Sequence, residues 1–135
     1  MAEFKVYRYE EQFNNEGPYT CEMNRVRDWT VCEAVANKHC DSKSHPSIRE
    51  DGLDFAIDSG DNFKTACYSL EELKSWFKGY NKWLLQSGFV AVEYAVSAKF
   101  DGKSNKQCVF HKTAVIERKV VEQKLKFENW QWKEV

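Results

Sequence analysis

Chain breakers are scarce in this sequence, with only 2 prolines and 6 glycines among 135 residues. Long flexible linkers and collagen-like repeats are therefore excluded. No run of about 18 apolar residues occurs, so no membrane-spanning helix is expected. Charge of one sign is not in excess: 20 basic residues face 21 acidic ones, a net of -1. That balance excludes the strongly basic footprint of a general nucleic-acid binder. No CxxC pair and no internal repeat stands out. The five cysteines (Cys21, Cys32, Cys40, Cys67, Cys108) are odd in number and widely spaced. An oxidised secreted scaffold would show a denser, even set, so reduced thiols are expected, some of them in the core. Met1 to Lys5 has no basic region leading into an apolar stretch, so no secretory signal is read and a cytoplasmic location is expected.

What is present suits one compact domain over residues 1–135. A chain of this length buries roughly two thirds of its surface on folding, enough for a core without staples. Hydrophobic residues make 42% and charged residues 30%, a globular balance. The aromatic content is high, with 5 Trp, 6 Tyr and 9 Phe.

Periodicity then places the elements. Residues 4–9 alternate and favour strand, with Phe4, Val6 and Arg8 on one face. Asn14 to Pro18 reads as a turn. Residues 25–38 read as a shorter N-terminal helix and 40–52 as a loop. Asp58 to Asp61 marks a turn, with a short strand near 63–68. Ser69-Leu70-Glu71-Glu72 is a capping box. Leu70, Leu73, Trp76, Phe77, Tyr80, Trp83 and Leu84 follow at helical steps, and Gly88 supplies a left-handed stop. The spacing predicts one long central helix over 70–87. Residues 89–96 are apolar enough for a central strand, 101–105 form a turn, and 107–110 and 114–121 read as two strands or one bent strand. Residues 124–132 alternate with a phase break at Glu128-Asn129, a bulge or turn. The expected fold is α+β, a mostly antiparallel sheet packed on the central helix.

Several residue sets could carry chemistry. Cys32, His39, Cys40 and His45 are zinc-type ligands close in sequence, but they lack the knuckle spacing, and loop or core roles compete. His45-Pro46-Ser47 and His111-Lys112-Thr113 are two H-x-[ST] tripeptides. Facing one another across a cleft, such motifs mark 2H phosphoesterases, where one histidine is base and the other acid. Cys67 precedes a helix N-terminus, where the dipole favours a thiolate, although packing is the simpler role. Trp76, Phe77, Tyr80 and Trp83 read as a core stripe. Trp130 and Trp132 share a strand face and could line a ligand cleft or partner interface. Arg8, on the inward face of its strand, needs either a bound anion or an internal carboxylate.

Four segments carry a resemblance. They are Lys5 to Glu10 with Gly17-Pro18-Tyr19, His45-Pro46 to Asp51-Gly52, Cys67 to Phe77, and Lys106 to Phe110. The S-L-x-x-L-x-x-W-F run inside the third is the most specific. Together they resemble a group of small proteins of tailed bacteriophages, over roughly 4–121. The resemblance implies a viral origin and action in a bacterial cytoplasm, and it assigns no chemistry. The same layout more faintly resembles ADP-ribosyltransferase-like folds of the Arg-Ser-Glu type. That likeness implies that Arg8 holds an NAD phosphate, that Ser69 orders the site, and that the Gln107 position takes the place of the glutamate. A neutral amide there would favour binding of an ADP-ribose-type ligand over transfer.

The resulting expectation is a phage accessory protein of the host-takeover or anti-defence kind. It would inhibit or sequester a host protein or an ADP-ribose-type or cyclic nucleotide, using Arg8, Ser69, Gln107, Trp130 and Trp132, with no cofactor or metal. Homo-oligomerisation stays open. The alternative is an enzyme on NAD or a nucleotide phosphodiester, in the second case through His45 and His111.

Overall fold

The computed structural model describes residues 3–12, 15–18, 29–39, 45–58 and 62–123. Strands β1 (Phe4–Glu11), β3 (Phe89–Val96) and β6 (Val115–Glu122) form one sheet in the order β1-β3-β6. Strands β2 (Phe63–Ala66), β4 (Phe100–Asp101) and β5 (Cys108–His111) form a second, in the order β2-β5-β4. Every strand pair is antiparallel. A single bridge, Tyr7 to Cys67, joins β1 to the chain just after β2. The α+β class and its antiparallel pairing therefore hold, but the strands split into two sheets. The stretches 107–110 and 114–121 fall in different ones, separated by a 3-10 turn over Lys112–Ala114.

Alternation along β1 and β3 explains the layering. Tyr9, Phe89 and Ala91 pack with Val31, Val35, Leu73, Phe77 and Leu84 from the helices. Val6, Val90, Val92, Tyr94 and Val96 pack with Ala66, Cys108 and Phe110 of the second sheet. The first sheet is thus a middle layer, and β3 is largely buried on both faces, which is why its sequence is apolar but for Glu93. A third cluster of Leu53, Ala56 and Val109 seats α2 (Asp54–Ile57) on the second sheet. Strand β1 also carries Arg8, Glu10 and Glu11 into buried positions, while Phe4 is left exposed at its end.

The long helix does not form. Its span holds two short helices, α3 (Leu70–Trp76) and α4 (Asn81–Gln86). The break is at Gly79, whose φ of +92° is a left-handed conformation that a helix interior forbids. The turn drops Phe77 into the core, with its ring edge-to-face against Tyr9 at 5.3 Å. Asn81 repairs the interruption. Its Nδ2 donates to the Lys74 carbonyl at 2.9 Å, and its Oδ1 accepts the Tyr9 hydroxyl. The ends of the predicted helix are where the sequence placed them: Ser69 Oγ accepts the Glu72 amide at 3.0 Å, and Gly88 has φ +100°. Ser69→Ala is expected to cost about 1 kcal/mol through this cap. A denaturation midpoint equal to that of the wild type would assign Ser69 another task.

The first helix, α1, runs Trp29–Lys38, and the expected positions 25–28 lie outside the described residues. So does the segment 124–132 with its expected strand, phase break, Trp130 and Trp132. No described helix is long and apolar enough to cross a membrane.

Candidate functional site

Strands β1 and β2 diverge from the Tyr7–Cys67 bridge and leave a cleft of about 1170 Å³ between their edges. Arg8, Thr65, His39, His45, Arg49 and Trp76 are among the residues lining it. Arg8 links β1 to β2, with Nη1 donating to the Thr65 carbonyl at 3.1 Å. Gly17 lies so close that a Cβ there would sit 2.9 Å from Arg8 Nη2, so glycine is what lets the returning chain approach the guanidinium.

Arg8 meets an internal carboxylate, which lies two residues along its own strand. Glu10 is fully buried, and its Oε2 sits 3.0 Å from Arg8 Nε. That contact is off the N–H direction and is a charge pairing, not a hydrogen bond. Glu10 is held from the other side as well. The Tyr94 hydroxyl donates to Oε2 at 2.6 Å, and Arg118 donates to Oε1 through Nε at 3.0 Å and Nη2 at 2.8 Å. One carboxylate thus sits between two guanidiniums and a phenol. Burial pulls Arg8 below its ordinary pKa, and Glu10 opposes the shift. Burial also acts against the charge on Arg118, but its hydrogen bonds and proximity to Glu10 outweigh that, and its pKa rises. Burial and the bond to Glu10 push Tyr94 up to about 12.

The lining also holds a ring cluster. His39, at the end of α1, stacks on His45 with centroids 3.7 Å apart and planes 10° from parallel. His45 stands edge-on to Trp76 at 5.0 Å, and its Nε2 lies 2.8 Å from the Trp76 carbonyl. A carbonyl can only accept, so Nε2 carries the proton in the neutral ring. Of the four residues weighed as a zinc set, His39 and His45 meet in space, as a ring stack. No cluster of three metal-type ligands occurs among the described residues. Cys32 is disulfide-bonded, which corrects the expectation of a reduced thiol there. Cys40 lies outside the described residues.

The two H-x-[ST] motifs do not face one another. His111 does not line the cleft; its Nδ1 bonds Thr113 Oγ1 at 2.8 Å and its ring packs on Phe63 at 4.9 Å. Nor do Arg8, Ser69 and Gln107 converge. Arg8 and Gln107 line the cleft, whereas Ser69 does not and serves as the cap of α3. Gln107 is occupied: Nε2 donates to the Pro46 carbonyl at 2.7 Å and to Asp51 Oδ2 at 2.8 Å. Asp51, itself buried, also accepts the Ser104 amide at 2.8 Å and its hydroxyl at 2.9 Å. This network staples the 45–53 loop, one wall of the cleft, to the turn between β4 and β5.

Cys67 and Cys108 are free, buried thiols. Burial pushes Cys67 up to about 12, with smaller contributions from Cys108 and Glu72. Burial likewise raises Cys108 to about 12. The helix dipole that favoured a thiolate at Cys67 is thus outweighed by desolvation. Both groups have folded pKa values above their unfolded ones. Their contribution to stability is whole below pH 9 and is lost as pH rises from about 9 towards about 12. A thiol reagent at pH 8 should therefore modify Cys67 only at the rate of unfolding. Modification much faster than amide exchange of β3 would mean that the thiol is accessible and activated.

Among the residues that shape the site, Glu10, Thr65, Asp51 and Trp76 escaped the sequence reading. Glu10 alone left a signal, since it shares the strand face of Arg8.

These features describe a small α+β domain with a cleft between two sheet edges and a polar clamp at Arg8. Residues 1–124 match the family described as Bacteriophage T4 Y00F protein, and the chain belongs to that family. No curated protein and no solved structure matches it. The bacteriophage resemblance read from the sequence is thereby established, and the ADP-ribosyltransferase likeness gains no support.

Proposed function

We propose that this phage accessory protein acts by binding, and that its cleft sequesters an anionic, ring-bearing host metabolite of the nucleotide class. The observation that carries the reading is the cleft lining. Its lining combines the Arg8 guanidinium with two stacked histidines and a tryptophan. Planar cations suit phosphate, and aromatic faces suit a base or a nicotinamide. The groups that turnover would need are engaged elsewhere: Cys67 is buried and neutral, His111 is outside the cleft, and Gln107 is bonded to Asp51.

Thermal melts with ADP-ribose, NAD and cyclic nucleotides test the proposal. A ligand at about 100 times its dissociation constant adds about 2.7 kcal/mol to stability. Arg49→Ala, on the exposed rim, should keep the unliganded melting temperature and lose most of the shift. Arg8→Lys should lower the unliganded melting temperature as well, because it breaks the pairing with Glu10. No shift with any compound would overturn the nucleotide reading.

A second reading, an inhibitor of a host protein, is favoured by exposed rings that adjoin the cleft at Phe63. Phe55, Phe63 and Phe100 touch ring to ring at 5.1 to 6.2 Å, and Phe55 and Phe100 are exposed. A contiguous exposed aromatic group of this kind suits a protein interface. If it serves as one, Phe100→Ser should abolish activity in the host without changing any ligand-induced shift.

A further inference from the structure

Strand β6 ends the first sheet, and among the described residues no strand pairs its outer edge. It is also poorly covered: Ile116, Val120 and Val121 are 54%, 42% and 36% exposed. An open edge with apolar side chains invites pairing with another chain. Two features narrow what can pair. The β3–β6 ladder shifts register between Ala91 and Val92 and again between Ala95 and Val96. Only Glu117, Arg118, Lys119 and Val120 lie in the regular stretch, opposite Ala95, Tyr94, Glu93 and Val92. Three of these four carry charge, so an unrelated strand would leave charges unmatched.

A second copy of the same strand can match them. Two antiparallel copies related by a two-fold axis through the sheet must place one residue opposite itself. Centred on Arg118, the pairing sets Glu117 opposite Lys119 twice and Ile116 opposite Val120 twice. The two Arg118 side chains meet, but each guanidinium is already turned onto its own buried Glu10. Centring on Glu117 puts two carboxylates together and Ile116 against Arg118. Centring on Lys119 puts two ammoniums together and Glu117 against Val121. Lys119 is free to turn: its intrachain contact to Glu93 is 3.7 Å long and the side chain is 57% exposed. Glu93 keeps the Tyr7 hydroxyl at 2.7 Å whether or not Lys119 stays.

The geometry points to a homodimer in which two β6 strands pair antiparallel about Arg118, joining two three-stranded sheets into one of six. This assembly is independent of the cleft and of what the cleft binds.

Sedimentation velocity on the full chain tests it, with Glu117→Lys and Lys119→Glu as the probes. The wild type should sediment as a dimer. Each variant alone sets like charges opposite one another and should self-associate at least about tenfold more weakly. An equimolar mixture of the two should dimerise again. In the mixed pair the two introduced side chains, of opposite charge, face one another across the axis, and the unaltered Lys119 of one chain faces the unaltered Glu117 of the other. Lys119→Glu also places a carboxylate near Glu93, so thermal melts by circular dichroism confirm its fold, and the exposed Glu117→Lys reads the interface without that complication. A monomeric wild type, a dimer that survives Glu117→Lys, or a mixture of folded variants that stays monomeric would each overturn the proposal.

Discussion

Glu10→Ala is expected to cost about 3–5 kcal/mol, because it leaves buried cationic groups without their counter-charge. Arg8 would keep only its bond to the Thr65 carbonyl, and the Tyr94 hydroxyl would lose its acceptor. Arg118, about a third exposed, could swing to water, so most of the loss falls on Arg8 and Tyr94. At this chain length each kcal/mol corresponds to roughly 3–6 °C, so the melting temperature should fall by roughly 10–25 °C. Glu10→Gln keeps an acceptor and should cost less than the alanine variant. A melting temperature within about 3 °C of the wild type for Glu10→Ala, less than the shift of a single kcal/mol, would mean that Glu10 does not anchor Arg8, Tyr94 and Arg118 across the β1-β3-β6 sheet.

Asp51→Ala should have the next largest effect, about 2–4 kcal/mol, since it strips the acceptor from the Ser104 amide, the Ser104 hydroxyl and Gln107 Nε2. The consequence is local as well as global. The 45–53 loop carries His45 and Arg49 into the cleft, and freeing it should weaken any ligand bound there. Gln107→Glu makes the same point by charge, setting a second carboxylate 2.8 Å from Asp51, where two negative charges cannot both persist. The glutamate that an Arg-Ser-Glu transferase would require is therefore expected to destabilise this chain and to bring no transferase activity. Urea unfolding of both variants, followed by circular dichroism, measures the loss.

Local signals in the sequence were legible where their partners were near in the chain. Ser69 and its amide partner are three residues apart, and Gly88 needs no partner, so both ends of the 70–87 segment could be read. Gly79 was hidden because Trp76, Phe77, Tyr80, Trp83 and Leu84 keep helical spacing across it. A left-handed turn followed by a second helix presents Phe77 and Leu84 to the same core, with Trp76 and Tyr80 packed against it, while Trp83, expected in the core stripe, is left exposed. The inward Arg8 was readable from strand alternation, and so was its need for a carboxylate. Arg118 and Tyr94 reach Glu10 from far along the chain, and no spacing rule announces them. Gln107 illustrates the same limit: its partners, Pro46 and Asp51, come from a loop more than fifty residues away. His39 and His45, weighed with Cys32 and Cys40 as zinc ligands, form a ring stack, and composition cannot tell a stack from a metal site. Geometry decides that.

The proposal that the cleft is a ligand site is tested most directly by nuclear magnetic resonance of the labelled protein during titration with ADP-ribose and cyclic nucleotides. The account predicts saturable shifts of the Trp76 indole and the His39 and His45 ring signals, with Phe100 unmoved. Ring signals of the cleft that stay fixed throughout, or shifts confined to the Phe55–Phe100 surface, would contradict it.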